Sequence, residues 1–184
     1  HLQQYAIMAA AYASAVLGKK NPRVGLLSIG EEDAKGTAMV KDARKLMRDE
    51  PQINFVGNVE GRDLFKGVAD VVVCDGFVGN TILKCVEGLA EGLFQAIQSE
   101  LEQVGPQLVA QFKPVLKKIH QQHDYQEYGG APLLGVDGYC LICHGSSDGR
   151  AIRNAIRVGK QLVASGVNER IVEQIAASIP GGDE

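Results

Sequence analysis

From Arg23 onward, short apolar runs rich in branched residues alternate with polar, glycine-bearing turns, and helical spacing resumes beyond each turn. The first run predicts a strand over Arg23–Ile29 that ends at Gly30. A helix follows from about Gly36 to Arg48, with Ala38, Val40, Ala43, Leu46 and Met47 as its apolar face. Ile53–Val56 predicts a second strand running into a loop at Gly57. A short helical turn around Arg62–Lys66 then leads to Ala69–Cys74, whose unbroken valines fit a strand buried on both faces, as in a parallel sheet. Ahead of these elements, Leu2, Tyr5, Met8, Ala9, Tyr12, Ala13 and Val16 recur at helical spacing until Gly18 and Asn21–Pro22 stop it. An opening inside or just before an amphipathic helix, with no strand ahead, is expected of part of a longer protein.

The middle of the chain changes period. Ile82, Val86, Leu89, Leu93, Ile97, Leu101 and Val104 form one long helical stripe that stops at Gly105–Pro106. Leu108, Phe112, Val115, Leu116 and Ile119 form a second, flanked by Lys113, Lys117 and Lys118, with Pro114 kinking it or marking its true first turn. The pair predicts a helical hairpin over about 81–120, a natural dimer surface whose Lys-flanked half resembles an interfacial membrane helix. After a polar, turn-like stretch at Asp124–Gly130, Pro132–Gly135 and a buried Tyr139–Cys143 strand are expected to return to the sheet. Asp137–Gly138 is a hairpin-turn signal between them. Two helices, roughly Asp148–Ala164 and Asn168–Ser178, close the chain.

Composition narrows the classes. At 184 residues, with 45% hydrophobic and 22% charged residues, the chain can bury a core, and one compact domain is the default. A net charge of −3 argues against a dedicated nucleic-acid binder. No apolar run approaches the roughly 20 residues that span a bilayer. The four cysteines (Cys74, Cys85, Cys140 and Cys143) sit in apolar contexts and read as buried reduced thiols. Cys140, Cys143 and His144 match a haem-attachment spacing, but residues three apart on a strand point to opposite faces, against one shared ligand. His120 and His123 have helical spacing at a Lys-rich, polar helix end and read as a solvated face rather than a metal site.

Four polar loops carry the candidate chemistry: Gly30–Gly36, Gly57–Asp63, Asp75–Asn80 and His144–Arg150. In open α/β sheets, strand-to-helix loops gather where ligands bind, and glycine lets the backbone approach them. Glu31, Glu32 and Asp33 beside Lys35 read either as acids complementing a helix start or as acid–base groups paired with a substrate-binding cation. Arg62 reads either as a planar fork for phosphate or carboxylate, oriented by Glu60 or Asp63, or as a surface salt bridge. In the third loop, Asn80 and Thr81 occupy expected N-cap positions, and Phe77 is a ligand contact or a staple for the next helix. The glycine spacing there does not fit a dinucleotide fingerprint. His144 beside Ser146 and Ser147 reads as an anion or proton-transfer site, or as a cap. Residues so close in sequence rarely aim at each other, so a Ser–His nucleophilic pair is not the expected arrangement.

Taken together, Arg23–Glu32, Asn54–Asp63, Asp70–Asn80, Gly129–Gly135 and His144–Ser147 resemble one family, in order, from the first residues to about Ala164. It is the bacterial phosphate acyltransferase of phospholipid synthesis (acyl-ACP:phosphate acyltransferase, PlsX), and the match is to its C-terminal half. The last helix and the hairpin match in character only. Ser28 stands where the family usually has Asn, and Cys140 and Cys143 fall where its pattern is free.

The resemblance implies a three-layer α/β/α fold with a mostly parallel sheet, like isocitrate dehydrogenases and phosphotransacetylases, plus a protruding helical hairpin. It implies transfer of a fatty acyl group from acyl carrier protein to inorganic phosphate without cofactor or metal, by a homodimer at the inner face of the cytoplasmic membrane. Placed on this sequence, it makes His144, Lys35 and Glu32 the catalytic candidates. Gly57, Asn58, Glu60, Gly61, Arg62, Asp75, Gly76, Gly79, Asn80, Gly145, Ser146 and Ser147 become the phosphate- and substrate-binding candidates. The anion is expected among the Gly57–Asp63, Asp75–Asn80 and His144–Ser147 loops.

Overall fold

The computed structural model describes residues 1–123 and 129–178. The chain divides into two units: residues 1–74, 131–142 and 156–184 form one, and 75–130 with 143–155 the other.

In the first unit, α1 (Leu2–Ala15) is followed by β1 (Arg23–Ser28), α2 (Ala38–Arg48), β2 (Asn54–Glu60) and β3 (Val71–Val73). The strands make a parallel sheet in the order β2-β1-β3. β1 is its centre because its apolar residues are needed on both faces: Val24, Gly25, Leu26 and Leu27 are all buried. The valine run of β3 is less enclosed than its composition predicts; only Val73 is buried, because β3 pairs on one side alone among the described strands.

α1 is a core helix. Leu2, Ala6, Ile7 and Ala10 pack with Val24, Leu26, Ala43, Met47, Ile53 and Val73. Ala11 joins a second cluster with Leu162, Val167 and Ile171. Of the expected stripe, Leu2 and Ala13 are buried, and Met8, Tyr12 and Val16 pack half-buried against the second cluster. Tyr5 is exposed, whereas Ala6, Ile7, Ala10 and Ala11, outside the expected set, are buried.

Pro132–Gly135 and Tyr139–Cys143 do not return to the parallel sheet. β4 (Ala131–Leu133) and β5 (Cys140–Ile142) pair with each other in a separate antiparallel ladder, with Asp137–Gly138 in the connection as expected. Cys140 is exposed and Cys143 half-buried, Cys85 is exposed and Cys74 half-buried, so these thiols are not core residues. A two-stranded ladder has no second layer to cover its outer face.

The second unit holds α3 (Gly76–Val104) and α4 (Pro106–His123), joined at Gly105, whose φ of 140° is open to glycine. Pro114 lies inside α4 rather than at its start. Ile82, Val86, Phe94, Ile97 and Leu101 are half-buried along one side of α3, yet no residue of that helix is fully buried. Leu89, Leu93, Val104, Phe112, Val115 and Ile119 remain exposed. The side chains of His120 and His123, and most of the Asp124–Gly130 turn, lie outside the described residues. α5 (Gly149–Ser165) and α6 (Val167–Ser178) close the described chain. No described helix is long and apolar enough to cross a membrane.

Candidate functional site

A single bulge organises the candidates of the first unit. The register runs Val24 to Phe55 and then Gly25 to Gly57, so Val56 is the extra residue, and Gly57 takes φ of 98°. One inserted residue reverses which side chains face inward. Past the bulge, Asn58 pairs with Leu26 and is only 8% exposed. The expected Gly57–Asp63 loop is thus largely strand. Gly57, Asn58, Val59 and Glu60 belong to β2, and Gly61, Arg62 and Asp63 form a turn of 3-10 helix. The run looked like a loop because two glycines and two polar residues interrupt its apolar pattern.

Buried Asn58 holds the Gly30–Gly36 turn. Its Nδ2 donates to the carbonyl of Glu32 at 3.1 Å, and the Lys35 amide donates to the same carbonyl at 3.0 Å. Arg44 of α2 forms an ion pair with Asp33. The side chains of Glu32 and Lys35 fold over Gly30, where a methyl would lie 2.6 Å from Glu32 Oε2 and 2.8 Å from Lys35 Cγ. Glu32, Lys35 and Asn58 are therefore neighbours. None of the three acids complements the dipole of α2, whose cap is Thr37 Oγ1 accepting from the Val40 amide at 3.3 Å. Helical geometry starts only at Ala38, beyond reach of Glu31 and Glu32.

Beneath the turn lie polar atoms without a hydrogen-bond partner: Ser28 Oγ, Asn58 Oδ1 and Arg44 Nε. Ser28 and Asn58 share a face of the sheet, because Leu26 pairs with Asn58 and Ser28 with Glu60.

At the end of β2, Arg62 grips Glu60 with two bonds, Nε to Oε2 at 3.0 Å and Nη2 to Oε1 at 3.2 Å. The Arg62 side chain is 68% exposed, so its remaining donors face water. Asp63 does not take part in orienting it; its carboxylate accepts from Lys66 Nζ at 2.7 Å, which draws the Asp63 pKa below its ordinary value.

In the second unit, Asp75 caps α3, its Oδ1 accepting from the Val78 amide at 3.0 Å. The expected Asp75–Asn80 loop is a cap followed by the first turns of the helix. Asn80 and Thr81 are helical, and the Thr81 hydroxyl bonds back to the Phe77 carbonyl at 2.8 Å. Phe77 is 82% exposed on the first turn and staples nothing. Asp148 likewise accepts from the amides of Arg150 and Ala151, at 3.0 and 2.9 Å, at the start of α5. Both helix starts already carry a carboxylate.

The His144–Ser147 segment closes on itself. Ser147 N–H donates to the His144 carbonyl at 3.0 Å, and Ser146 N–H donates to His144 Nδ1 at 3.2 Å. Ser146 Oγ lies 2.6 Å from the same Nδ1. His144 and Ser146 do aim at each other, against the expectation for residues so close in sequence, because the intervening Gly145 lets the chain fold tightly. At Gly61, Gly76 and Gly145, a methyl would meet no protein atom within 4 Å. Packing within the described chain does not require glycine there, whereas close approach by a ligand would.

Sequence reasoning missed a third constellation. Asp70 accepts from the Arg23 amide and from Arg23 Nε, both at 3.0 Å, and from Lys19 Nζ at 3.4 Å. The Arg23 side-chain bond, with help from its amide, holds the Asp70 carboxyl far below the usual carboxylate range. Its one sequence signal was an acid directly ahead of a valine run. Among the described residues, no group of three His, Cys, Asp or Glu side chains is placed to hold a metal ion.

Residues 1–170 match the family model described as "Fatty acid synthesis protein". The chain is 46% identical, over its whole length, to a phosphate acyltransferase of Dictyoglomus turgidum, covering 55% of that protein. It is 52% identical over 178 residues to one of Halothermothrix orenii, covering 95% of this chain and 53% of the relative. A phosphate acyltransferase of Citrifermentans bemidjiense is 47% identical over 98% of this chain and 52% of its own length. The chain spans about half the length of these curated relatives.

Proposed function

Because this chain belongs to the phosphate acyltransferase family of fatty acid and phospholipid synthesis, we propose that it serves acyl transfer from acyl-[acyl-carrier-protein] to inorganic phosphate. The products are acyl phosphate and free carrier protein. One structural observation carries this reading, the Glu60–Arg62 pair. A guanidinium fixed by two bonds to a carboxylate keeps its outer N–H groups turned to water, in the planar arrangement that suits a phosphate oxygen pair.

Phosphate is already a nucleophile, so the chemistry needs orientation more than deprotonation. A phosphate oxygen attacks the thioester carbonyl, the carbonyl oxygen takes up negative charge, and the thiolate leaves. Lys35, beside Glu32 over Gly30, supplies a cation for developing charge. At the start of α3 the Val78 and Gly79 amides are held by Asp75, so the Gly76 and Phe77 N–H groups supply the neutral donors. The Ser146 amide donates to His144 Nδ1, so a neutral His144 carries its proton on Nε2 and is the group assigned to donate a hydrogen bond to the leaving thiolate, which takes its proton from water. The remaining binding candidates are Gly57, Asn58 and Gly61 in the first unit and Asp75, Gly79, Gly145 and Ser147 in the second.

The proposal extends to the whole protein: a three-layer α/β/α fold, a homodimer built through the α3–α4 hairpin, and peripheral contact with the inner face of the cytoplasmic membrane. The exposed Leu89, Leu93, Phe112 and Val115 favour the hairpin as a docking element in its own right. Trapping acyl phosphate with hydroxylamine, with acyl-ACP and acyl-CoA compared as donors, tests the reading. Hydroxamate formed from acyl-CoA alone would move the chain to phosphotransacetylase-like chemistry.

A further inference from the structure

A backbone amide can only donate. The Ser146 N–H pointing at His144 Nδ1 requires a lone pair on that nitrogen, and in the tautomer that provides it the Ser146 hydroxyl, 2.6 Å away, shares that lone pair as a second donor. Ser146 thus carries a hydroxyl polarised by a base within the distance that general-base catalysis needs. Both residues are exposed, so an incoming acyl group can reach the oxygen. Gly145 between them adds no side chain, and a methyl there would meet open space.

We propose that Ser146 and His144 form a nucleophile–base pair that takes an acyl group from an activated ester or thioester and releases it to water. Ser146 Oγ bonds to the acyl carbon and gives its proton to Nδ1, and the carbon–sulfur bond breaks. The leaving thiolate takes the proton from Nδ1. Water then attacks the acyl-serine, losing a proton to Nδ1, which passes it to the departing Ser146 oxygen, and the carboxylic acid and the serine hydroxyl are freed. Nothing is oxidised or reduced, and water is the only co-reactant. This activity lies beside transfer to phosphate rather than on its path, because an oxygen ester is less activated than an acyl phosphate. Only the choice of an acyl thioester as natural donor rests on the function proposed above.

The test is incubation with 4-nitrophenyl butyrate, followed by intact-mass and tandem mass spectrometry. The expected result is one butyryl group on Ser146, resistant to neutral hydroxylamine, with a stoichiometric burst of 4-nitrophenol before slow turnover. Ser146→Ala removes that adduct, and His144→Ala slows its formation about 100-fold. Equal labelling in His144→Ala, no adduct on Ser146, or hydroxylamine-labile adducts confined to the exposed Cys140 and its neighbour Cys143 would each overturn the proposal. Acyl phosphate formed by a protein whose Ser146 is never acylated would overturn this inference alone. Serine acylation without any acyl phosphate would count against the proposed function instead.

Discussion

Asn58 and Glu32 are 26 residues apart, yet the buried amide of the first donates to the main-chain carbonyl of the second at 3.1 Å. That bond fastens the Gly30–Gly36 turn to the sheet from below. Asn58 is enclosed, so its contribution is to shape the turn that carries Glu32 and Lys35. Removing the amide cuts the turn's side-chain tie to the sheet and leaves the Glu32 carbonyl with the Lys35 N–H. Asn58→Ala is expected to destabilise the fold by about 1–3 kcal/mol, read from urea denaturation. Hydrogen exchange should quicken over residues 30–36, and an unchanged midpoint with unchanged exchange would remove the latch.

The Asp70–Arg23 pair gives a pH-dependent signature. The folded-state pKa of Asp70 is depressed, so its stabilisation is present above the unfolded value of about 3.9 and is lost as pH falls through the folded value. Wild type should exceed Asp70→Asn in urea midpoint by a constant amount near neutral pH. Its lead should shrink below about pH 4. A lead as large at pH 3 as at pH 7 would assign the stabilisation to something other than the Asp70 charge.

The proposed function makes Arg62, held by Glu60 and exposed, the anion-binding cation. Arg62→Ala is expected to weaken phosphate binding roughly 10- to 100-fold, the worth of charge-assisted hydrogen bonds. Glu60→Gln should cost less, because it loosens the guanidinium without removing it. Phosphate-dependent shifts in NMR spectra give both affinities, and unchanged affinity in Arg62→Ala would take Arg62 out of the site.

The strand–helix alternation was legible wherever one period ran unbroken, as in β1, α2 and the α3–α4 hairpin. It failed at three kinds of place. At Gly57 a bulge keeps the strand going where glycine and polar residues look like a loop, and the burial of Asn58 depends on that bulge. At Asp75 the cap precedes two glycines whose pattern looks like loop, and Asn80 falls inside the helix. In α1 the core face takes in Ala6, Ile7, Ala10 and Ala11 beside the expected Leu2 and Ala13, and leaves Tyr5 exposed. Of the site, the local groups could be named from the sequence. The Asp70–Arg23 pair could not, since 47 residues separate its partners, and neither could the closure of Ser146 onto His144, which depends on turn geometry.

The hairpin leaves more apolar surface uncovered than its own two helices can hide. Changing Phe112 and Leu116 to Ser is expected to weaken self-association in sedimentation and to release the protein from anionic vesicles. Lys113, Lys117 and Lys118 each contribute about 1 kcal/mol near such a surface. A monomer that ignores anionic vesicles would leave the hairpin without either partner.

The central claim is that this chain carries phosphate acyltransferase function, and the most direct measurement is acyl phosphate formation by a chimera. In it, the chain replaces the matched half of the Dictyoglomus turgidum enzyme, and the product is trapped as hydroxamate from acyl-ACP and phosphate. The expected result is product that requires both substrates, at a rate within about 10-fold of the parent, a difference of roughly 1.4 kcal/mol. The chain alone, spanning about half the length of its relatives, is expected to form little. A folded chimera that leaves both substrates unconverted, beside a parent that consumes them, would contradict the account.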